Sequence, residues 1–297
     1  MKRIFVLWAL ACGFLPLAWS QPSGVTAELQ LDRTEFLSDE DMQIKVHIEN
    51  RSGQLLTLGK GDDWISFSVA GDNNNPVSPL GDGSVSNQFQ IQSAQAADVT
   101  FNLTPFFDFR QPGHYTVKAA FKLPWNQEVN CKPVSFTVIK GLRLDCSPDM
   151  AVGVPLPEGV SNTAPVMRRY FLEKVTHASG MKMYFRLTDG SGAKTLRVFP
   201  LGPMVSFGQP QAQIDRFSNL HVLNQSGAQS FTYVVLDPHG FILDRQTYEY
   251  NETRPELRVN AEGGIFVFGG IRRISTTDIP PGQTSSVALP GTGAVKH

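Results

Sequence analysis

From position 42 to 49 apolar and polar residues alternate without a break: Met42, Ile44, Val46 and Ile48 against Gln43, Lys45, His47 and Glu49. Successive side chains of a strand point to opposite faces of a sheet, so a period of two specifies a strand buried on one face. Tyr115, Val117, Ala119 and Phe121 alternate in the same way with Thr116, Lys118 and Ala120. Similar runs occupy 25–31, 65–69, 99–103 and 134–138, with weaker ones at 56–58 and 89–91. Segments such as "GDNNNP" and "GDGSVSN" between them carry turn chemistry. Six clear strands in about 100 residues predict an antiparallel two-sheet sandwich over 21–140.

A second pattern is a duplication. "SGAQSFTYVVLDPHGFILDR" begins at Ser226, and a looser copy, "SGMKMYFRLTDGSGAKTLR", begins at Ser179, 47 residues earlier. Past the Ser-Gly pair an offset of 48 is required: it places Met183, Phe185 and Leu187 on Phe231, Tyr233 and Val235. An offset of 47 would turn one copy's apolar face outward. Asp189 then matches Asp237, Gly192 matches Gly240 and Arg197 matches Arg245. Asp-x-x-Gly suits the first and fourth positions of a type I turn, so each copy reads as a hairpin. A third unit begins at "GGIFVFGG" (263–270). The expectation for 141–278 is a β-rich domain of hairpin repeats, either a small sheet stack packed on the sandwich or a partial propeller. The whole chain is therefore expected to be all-β.

Two resemblances bear on this. "QPGHYTVKAAF" resembles the late strand of bacterial immunoglobulin-like domains, where a Pro-Gly turn leads into a strand opening with tyrosine. That resemblance implies that Tyr115 is a corner residue with its hydroxyl bonded to nearby backbone, and that the module serves as a spacer or binding domain. The antibody Cys-Trp-Cys signature is missing, so immune-type recognition does not carry over. The repeat period resembles that of β-propeller blades, without the Trp-Asp signature and with too few units to close a ring.

The first 20 residues read as a secretory leader. Lys2 and Arg3 precede an apolar run over 4–17, and Ala18-Trp19-Ser20 sets cleavage between Ser20 and Gln21. The run is shorter than the about 20 residues of a membrane span. Cys12 lies inside it, which argues against a lipid-attachment site. A secreted or periplasmic protein follows, with no membrane span after leader removal. Cys131 and Cys146 then remain, where disulfides persist. A bridge between them would close a loop of about 15 residues and add about 3 kcal/mol; two separate buried thiols are the alternative. The 147–169 segment reads as a connecting loop. Towards its end, either a short helix capped by Thr163 runs from Pro165 towards Val175, or the same residues form the first repeat strand. The polar, small-residue stretch 279–297 reads as a flexible tail.

Net charge is -1, from 26 basic and 27 acidic residues, which excludes the broad electrostatic attraction that holds proteins on nucleic acid or anionic membranes. Signatures for zinc hydrolysis, the serine nucleophile elbow, the phosphate loop and dinucleotide binding are absent, so no catalytic residue, metal or cofactor is assigned. His47, His114, His177, His221 and His239 are expected at the surface or in turns. The acidic runs Asp39-Glu40-Asp41 and Asp62-Asp63 are expected to be solvated turns rather than calcium ligands. Arg197 and Arg245 read as strand-end partners of turn acids, and Phe106, Phe107 and Phe109 as a plug for the sandwich end. Trp125 is the binding candidate, at a loop tip between the last two sandwich strands, because an indole offers large contact area at small entropic cost. Its alternative role is to cover the domain junction. These readings favour an exported non-enzymatic binding or scaffold protein that contacts a protein or envelope glycan. The alternative is a secreted polysaccharide hydrolase whose carboxylate pair comes from separate loops.

Overall fold

The computed structural model describes residues 24–61, 64–81, 88–124, 127–154, 164 and 166–280. Among them the regular structure is strand, apart from one 3-10 turn at Asp72–Asn74. The first ten strands are β1 (Val25–Leu31), β2 (Glu35–Leu37), β3 (Gln43–Asn50), β4 (Leu56–Leu58), β5 (Ile65–Ala70), β6 (Phe89–Ile91), β7 (Gln95–Asn102), β8 (Gly113–Lys122), β9 (Glu128–Asn130) and β10 (Val134–Ile139).

They make two main sheets, β1-β3-β7 and β2-β10-β8-β5, with β9 joined to β8 and β4 paired to β6. The alternating residues of β3 and β8 meet in one core: Ile44, Val46 and Ile48 face Val117, Ala119 and Phe121, all buried. Phe107 and Phe109 are buried in that core and Phe106 packs against it, as expected for a plug. The Tyr115 hydroxyl donates to the Gln111 carbonyl at 2.7 Å, and its ring stacks on Phe136. Strand β2, whose Glu35-Phe36-Leu37 does not alternate, is not among the strands the sequence predicts; it runs parallel to β10, Phe36 opposite Val138.

The second half contains β11 (Leu142–Arg143), β12 (Ala151–Gly153), β13 (Met167–His177), β14 (Gly180–Asp189), β15 (Thr195–Pro203), β16 (Gln211–Ile214), β17 (Leu220–Gln225), β18 (Ser230–Leu236), β19 (Ile242–Glu249), β20 (Glu256–Val259), β21 (Ile265–Phe268) and β22 (Ile271–Arg273). One sheet runs β11-β13-β14-β15, with β12 also on β13; the other runs β16-β17-β18-β19-β22. Tyr170, Leu172, Phe185 and Leu187 of the first meet Leu220, Val222, Val234 and Leu236 of the second in a shared core. Thus 167–177 is strand rather than helix, and β12 falls inside the stretch read as loop. Thr163 and Pro165 lie outside the described residues.

The duplicated segments are the hairpins β14–β15 and β18–β19, one in each facing sheet, so the units form a sheet stack. Their turns match closely: Gly192 N–H reaches the Asp189 carbonyl at 3.0 Å and Gly240 N–H reaches that of Asp237 at 2.9 Å. Register slips between Leu187 and Thr188 in one copy and between Val235 and Leu236 in the other, at the offset of 48 that parity requires. The turns face different surroundings. Gly240 has φ 77°, and a Cβ there would approach the Phe185 ring to 3.2 Å and Leu187 to 3.3 Å, so glycine lets the second turn seat on the first copy's sheet. Arg197 donates to the Gly240 carbonyl at 3.0 Å and lies over Phe241, while Arg245 makes no ion pair among the described residues. This corrects the expected pairing of both arginines with turn acids: a carbonyl and an aromatic face are what the neighbouring turn presents to Arg197.

The third unit is the hairpin β20–β21, which lies on the outer face of the second sheet. Leu257, Ile265 and Val267 cover Leu223, Phe231, Tyr233 and Val235. Ile279, read as the start of the tail, exchanges two backbone bonds with Arg245 and packs on the core; residues 281–297 lie outside those described.

Candidate functional site

Three groupings of side chains stand out, and the first joins the two sandwiches. Residues 37–40 form a tight turn in which Glu40 N–H reaches the Leu37 carbonyl at 3.0 Å and Asp39 adopts φ 63°, a left-handed conformation aspartate tolerates better than most residues. Leu37 packs with Val175, Tyr184 and Val198 of the second half. Around it Arg186 reaches Asp39 Oδ2 at 2.9 Å, the Ser38 carbonyl at 3.0 Å and Glu173 at 3.2 Å, and Thr195 donates to Asp39 at 2.9 Å. His177 sits between Glu35, at 3.0 Å from Nδ1, and the Tyr184 hydroxyl, at 3.1 Å from Nε2. Glu40 accepts from Arg33 at 2.7 Å and from Leu37 N–H at 2.9 Å. Burial pushes the Glu40 carboxyl above its usual range despite Arg33, and pushes the Tyr184 hydroxyl up to about 12. Asp39 and Glu40 therefore correct the expectation of a solvated run, while Asp41 stays exposed as expected. Asp39 and Glu40 hold arginines, and Asp41 faces Asn102 at 3.1 Å. Each carboxylate points to a different partner, and no group of three metal-ligating side chains occurs among the described residues.

The second grouping lies on the outer face of the second sheet. His221 is buried, with Nδ1 2.7 Å from the Tyr233 hydroxyl and Nε2 3.2 Å from Asp215. Asp215 also accepts from the N–H groups of Phe217 and Asn219, both at 2.8 Å, and from the Asn219 amide at 2.9 Å. Burial alone would raise the Asp215 carboxyl; these bonds more than offset that and hold it below its usual range. A carboxylate, an imidazole and a hydroxyl in line suit proton transfer. Here both ring nitrogens are occupied and the cover of β20–β21 encloses Tyr233, so the line serves as a polar pin. His177 and His221 thus correct the expectation of surface histidines, because each has found a tyrosine and a carboxylate in the fold. His239 is in a turn and exposed, as expected, and His47 pairs with Asp98 at 2.7 Å on an outward face. Near this pin, Asp244 has a buried Oδ1 with no partner, and burial raises its carboxyl.

The third grouping is an apolar surface. The hairpin β20–β21 buries one face and exposes the other, where Phe266 and Phe268 stand at 41% and 42% exposure beside Arg258 and Glu256; Val259, at the end of the covering face opposite Ile265, is 57% exposed. The chain continues directly into β22, where Ile271 is 42% exposed, and then to Ile274 at 95%. Arg258 lies 3.6 Å over the Phe268 ring and holds it in place. Phe266, Phe268, Ile271 and Ile274 thus stand exposed within nine successive residues, the first two on the ribbon and Ile271 on the strand that joins β19. The sequence did carry a signal for it. Ile265, Phe266, Val267 and Phe268 are apolar in succession, so a two-stranded ribbon made from them must show one apolar face to solvent. Trp125, proposed from the sequence for this role, lies outside the described residues, as do Ser20, Gln21 and the Asp62-Asp63 pair.

Cys131 belongs to the core of the first sandwich and Cys146 packs against that of the second; both are free thiols, pushed up to about 11 by burial. Among the described residues no helix is long and apolar enough to cross a membrane.

Fold and surface together define an all-β protein of stacked sandwich-like sheets. No family model matches the chain, and no curated protein matches it. Among solved structures it is similar to Spo0M, a sporulation control protein from Bacillus subtilis, at 11% identity over 60% of this chain and 91% of that one. The TM-score is 0.28, too low to carry an argument about fold or function.

Proposed function

We propose that the protein is an exported, non-enzymatic binding protein that contacts a protein partner of the cell envelope or extracellular space through the ribbon 256–274. The observation that carries this reading is the exposure of Phe266 and Phe268 on the outer face of a ribbon pinned to the body of the molecule, with Val259, Ile271 and Ile274 also exposed along the same stretch of chain. Apolar and aromatic side chains held in place at a surface contribute contact energy at low ordering cost, and that chemistry favours a protein surface over a glycan. The network at the sandwich junction supports the reading by presenting the ribbon from a braced scaffold. On this reading the first sandwich is an immunoglobulin-like spacer, supported by the Tyr115 hydroxyl bond to Gln111. Export rests on the leader pattern of residues 1–20.

The test is capture of a stoichiometric partner by the purified protein, compared with Phe266→Ser/Phe268→Ser and with Phe207→Ser, a still more exposed aromatic elsewhere. Capture lost only in the ribbon variant supports the reading. Capture equal in all three, or selective for an added glycan, contradicts it. Amino-terminal sequencing of the purified protein, expected to begin at Gln21, tests export separately.

A further inference from the structure

Where the chain passes from β10 into β11 a cleft of about 440 Å3 opens, lined by Pro112, Ile139, Lys140, Leu142, Lys174 and Val175 among others. It exists because β11 is short. It pairs with β13 only at Leu142 opposite Lys174 and Arg143 opposite Glu173, and from Val175 to His177 β13 has no strand on this side among the described residues, β12 pairing only at its other end. Two features of the lining are distinctive. Leu142 is 63% exposed, so an apolar wall is left open to water. The neighbouring arginines are already matched, Arg143 with Asp149 and Arg186 with Glu173 and Asp39, whereas Lys140 and Lys174 form no ion pair among the described residues.

We propose that this cleft binds a monomeric long-chain carboxylate, its head between Lys140 and Lys174 and its hydrocarbon against Pro112, Ile139, Leu142 and Val175. The charge and the walls select this chemistry jointly. Two ammonium groups without counter-charges favour an anion, and lysine meets a small anionic head as a point charge without demanding a flat, two-pronged partner. The apolar lining then recovers hydrophobic free energy from a tail, as in ligand clefts of this size generally. The site is separate from the ribbon and does not depend on its role.

Titration of the purified protein with dodecanoate, below the concentration at which it self-associates, tests this by calorimetry. One saturable site is expected, with acetate and the neutral dodecanol each bound at least about tenfold more weakly because each lacks one of the two contacts. Lys140→Gln/Lys174→Gln is expected to weaken dodecanoate by about tenfold or more, and Lys140→Arg/Lys174→Arg to retain binding, since charge rather than shape is needed. Non-saturable uptake, or equal affinity in the glutamine variant, overturns the proposal. So does dodecanol binding as tightly as dodecanoate. The ribbon variant Phe266→Ser/Phe268→Ser is expected to bind dodecanoate unchanged, so that failure of one site leaves the other standing.

Discussion

Arg186 on β14 and Asp39 in the turn after β2 are 2.9 Å apart across the junction of the two sandwiches, and the same guanidinium meets the Ser38 carbonyl and Glu173. Both side chains are largely withdrawn from solvent, so each needs the other. Arg186→Met leaves Asp39 and Glu173 uncompensated, and a loss of about 3 kcal/mol in unfolding free energy is expected from urea denaturation. The double variant Arg186→Met/Asp39→Asn is expected to recover part of it. A midpoint for Arg186→Met equal to that of the unmodified protein would show that the pair contributes nothing to the junction.

The Tyr115 hydroxyl donates to the Gln111 carbonyl just ahead of β8, inside a cluster of Phe109 and Phe136 rings. Tyr115→Phe keeps the ring packing and removes only the donor. A loss of about 1 kcal/mol is expected, measured as a lowered urea midpoint at constant denaturant slope.

How much of this was legible in the chain depends on range. Met42 to Glu49 and Tyr115 to Phe121 announce their strands because the cause is local: alternate faces of one extended segment. The Asp-x-x-Gly turns and the one-residue slip at Leu187 and Val235 were readable for the same reason. What places Asp39 against Arg186 acts across 147 positions, and Glu35 against His177 across 142, so nothing near Asp39-Glu40-Asp41 distinguishes a buried clamp from a solvated turn. Likewise the copies of the repeat predict two hairpins but not that they face each other across one core, since blade and stack bury the same residues. The ribbon was written in four successive apolar residues, and was read as the start of a third unit.

Asp215, in the turn after β16, and Asp244, on β19 of the same sheet, are shifted in opposite directions. Hydrogen bonds hold Asp215 below its usual range against the effect of burial, so its stabilisation is present above the unfolded carboxylate range and is lost as pH falls through its depressed folded value. Asp215→Asn is expected to cost about 2 kcal/mol at neutral pH and to flatten the acid limb of a stability profile. Asp244 is raised, chiefly by burial, and has an unpartnered Oδ1. Asp244→Asn is expected to gain up to about 1 kcal/mol at neutral pH, with the gain shrinking as pH falls through the raised value. Parallel profiles for the two variants would contradict both assignments.

Cys131 and Cys146 are free thiols lodged in different cores, each pushed up to about 11 by burial. A thiol reagent at neutral pH is expected to react slowly with the folded protein and to titrate both sulfurs once urea is added without reductant. An unfolded, unreduced protein that yields no thiol would show a bridge instead.

The central claim is that the exposed stretch of Val259, Phe266, Phe268, Ile271 and Ile274 is the surface through which this protein binds. Hydrogen–deuterium exchange on the complex with its captured partner tests it directly. The account predicts slowed exchange over 256–274, with the junction residues 35–40 unchanged from the free protein. Protection confined to other segments, with 256–274 exchanging as in the free chain, would contradict it.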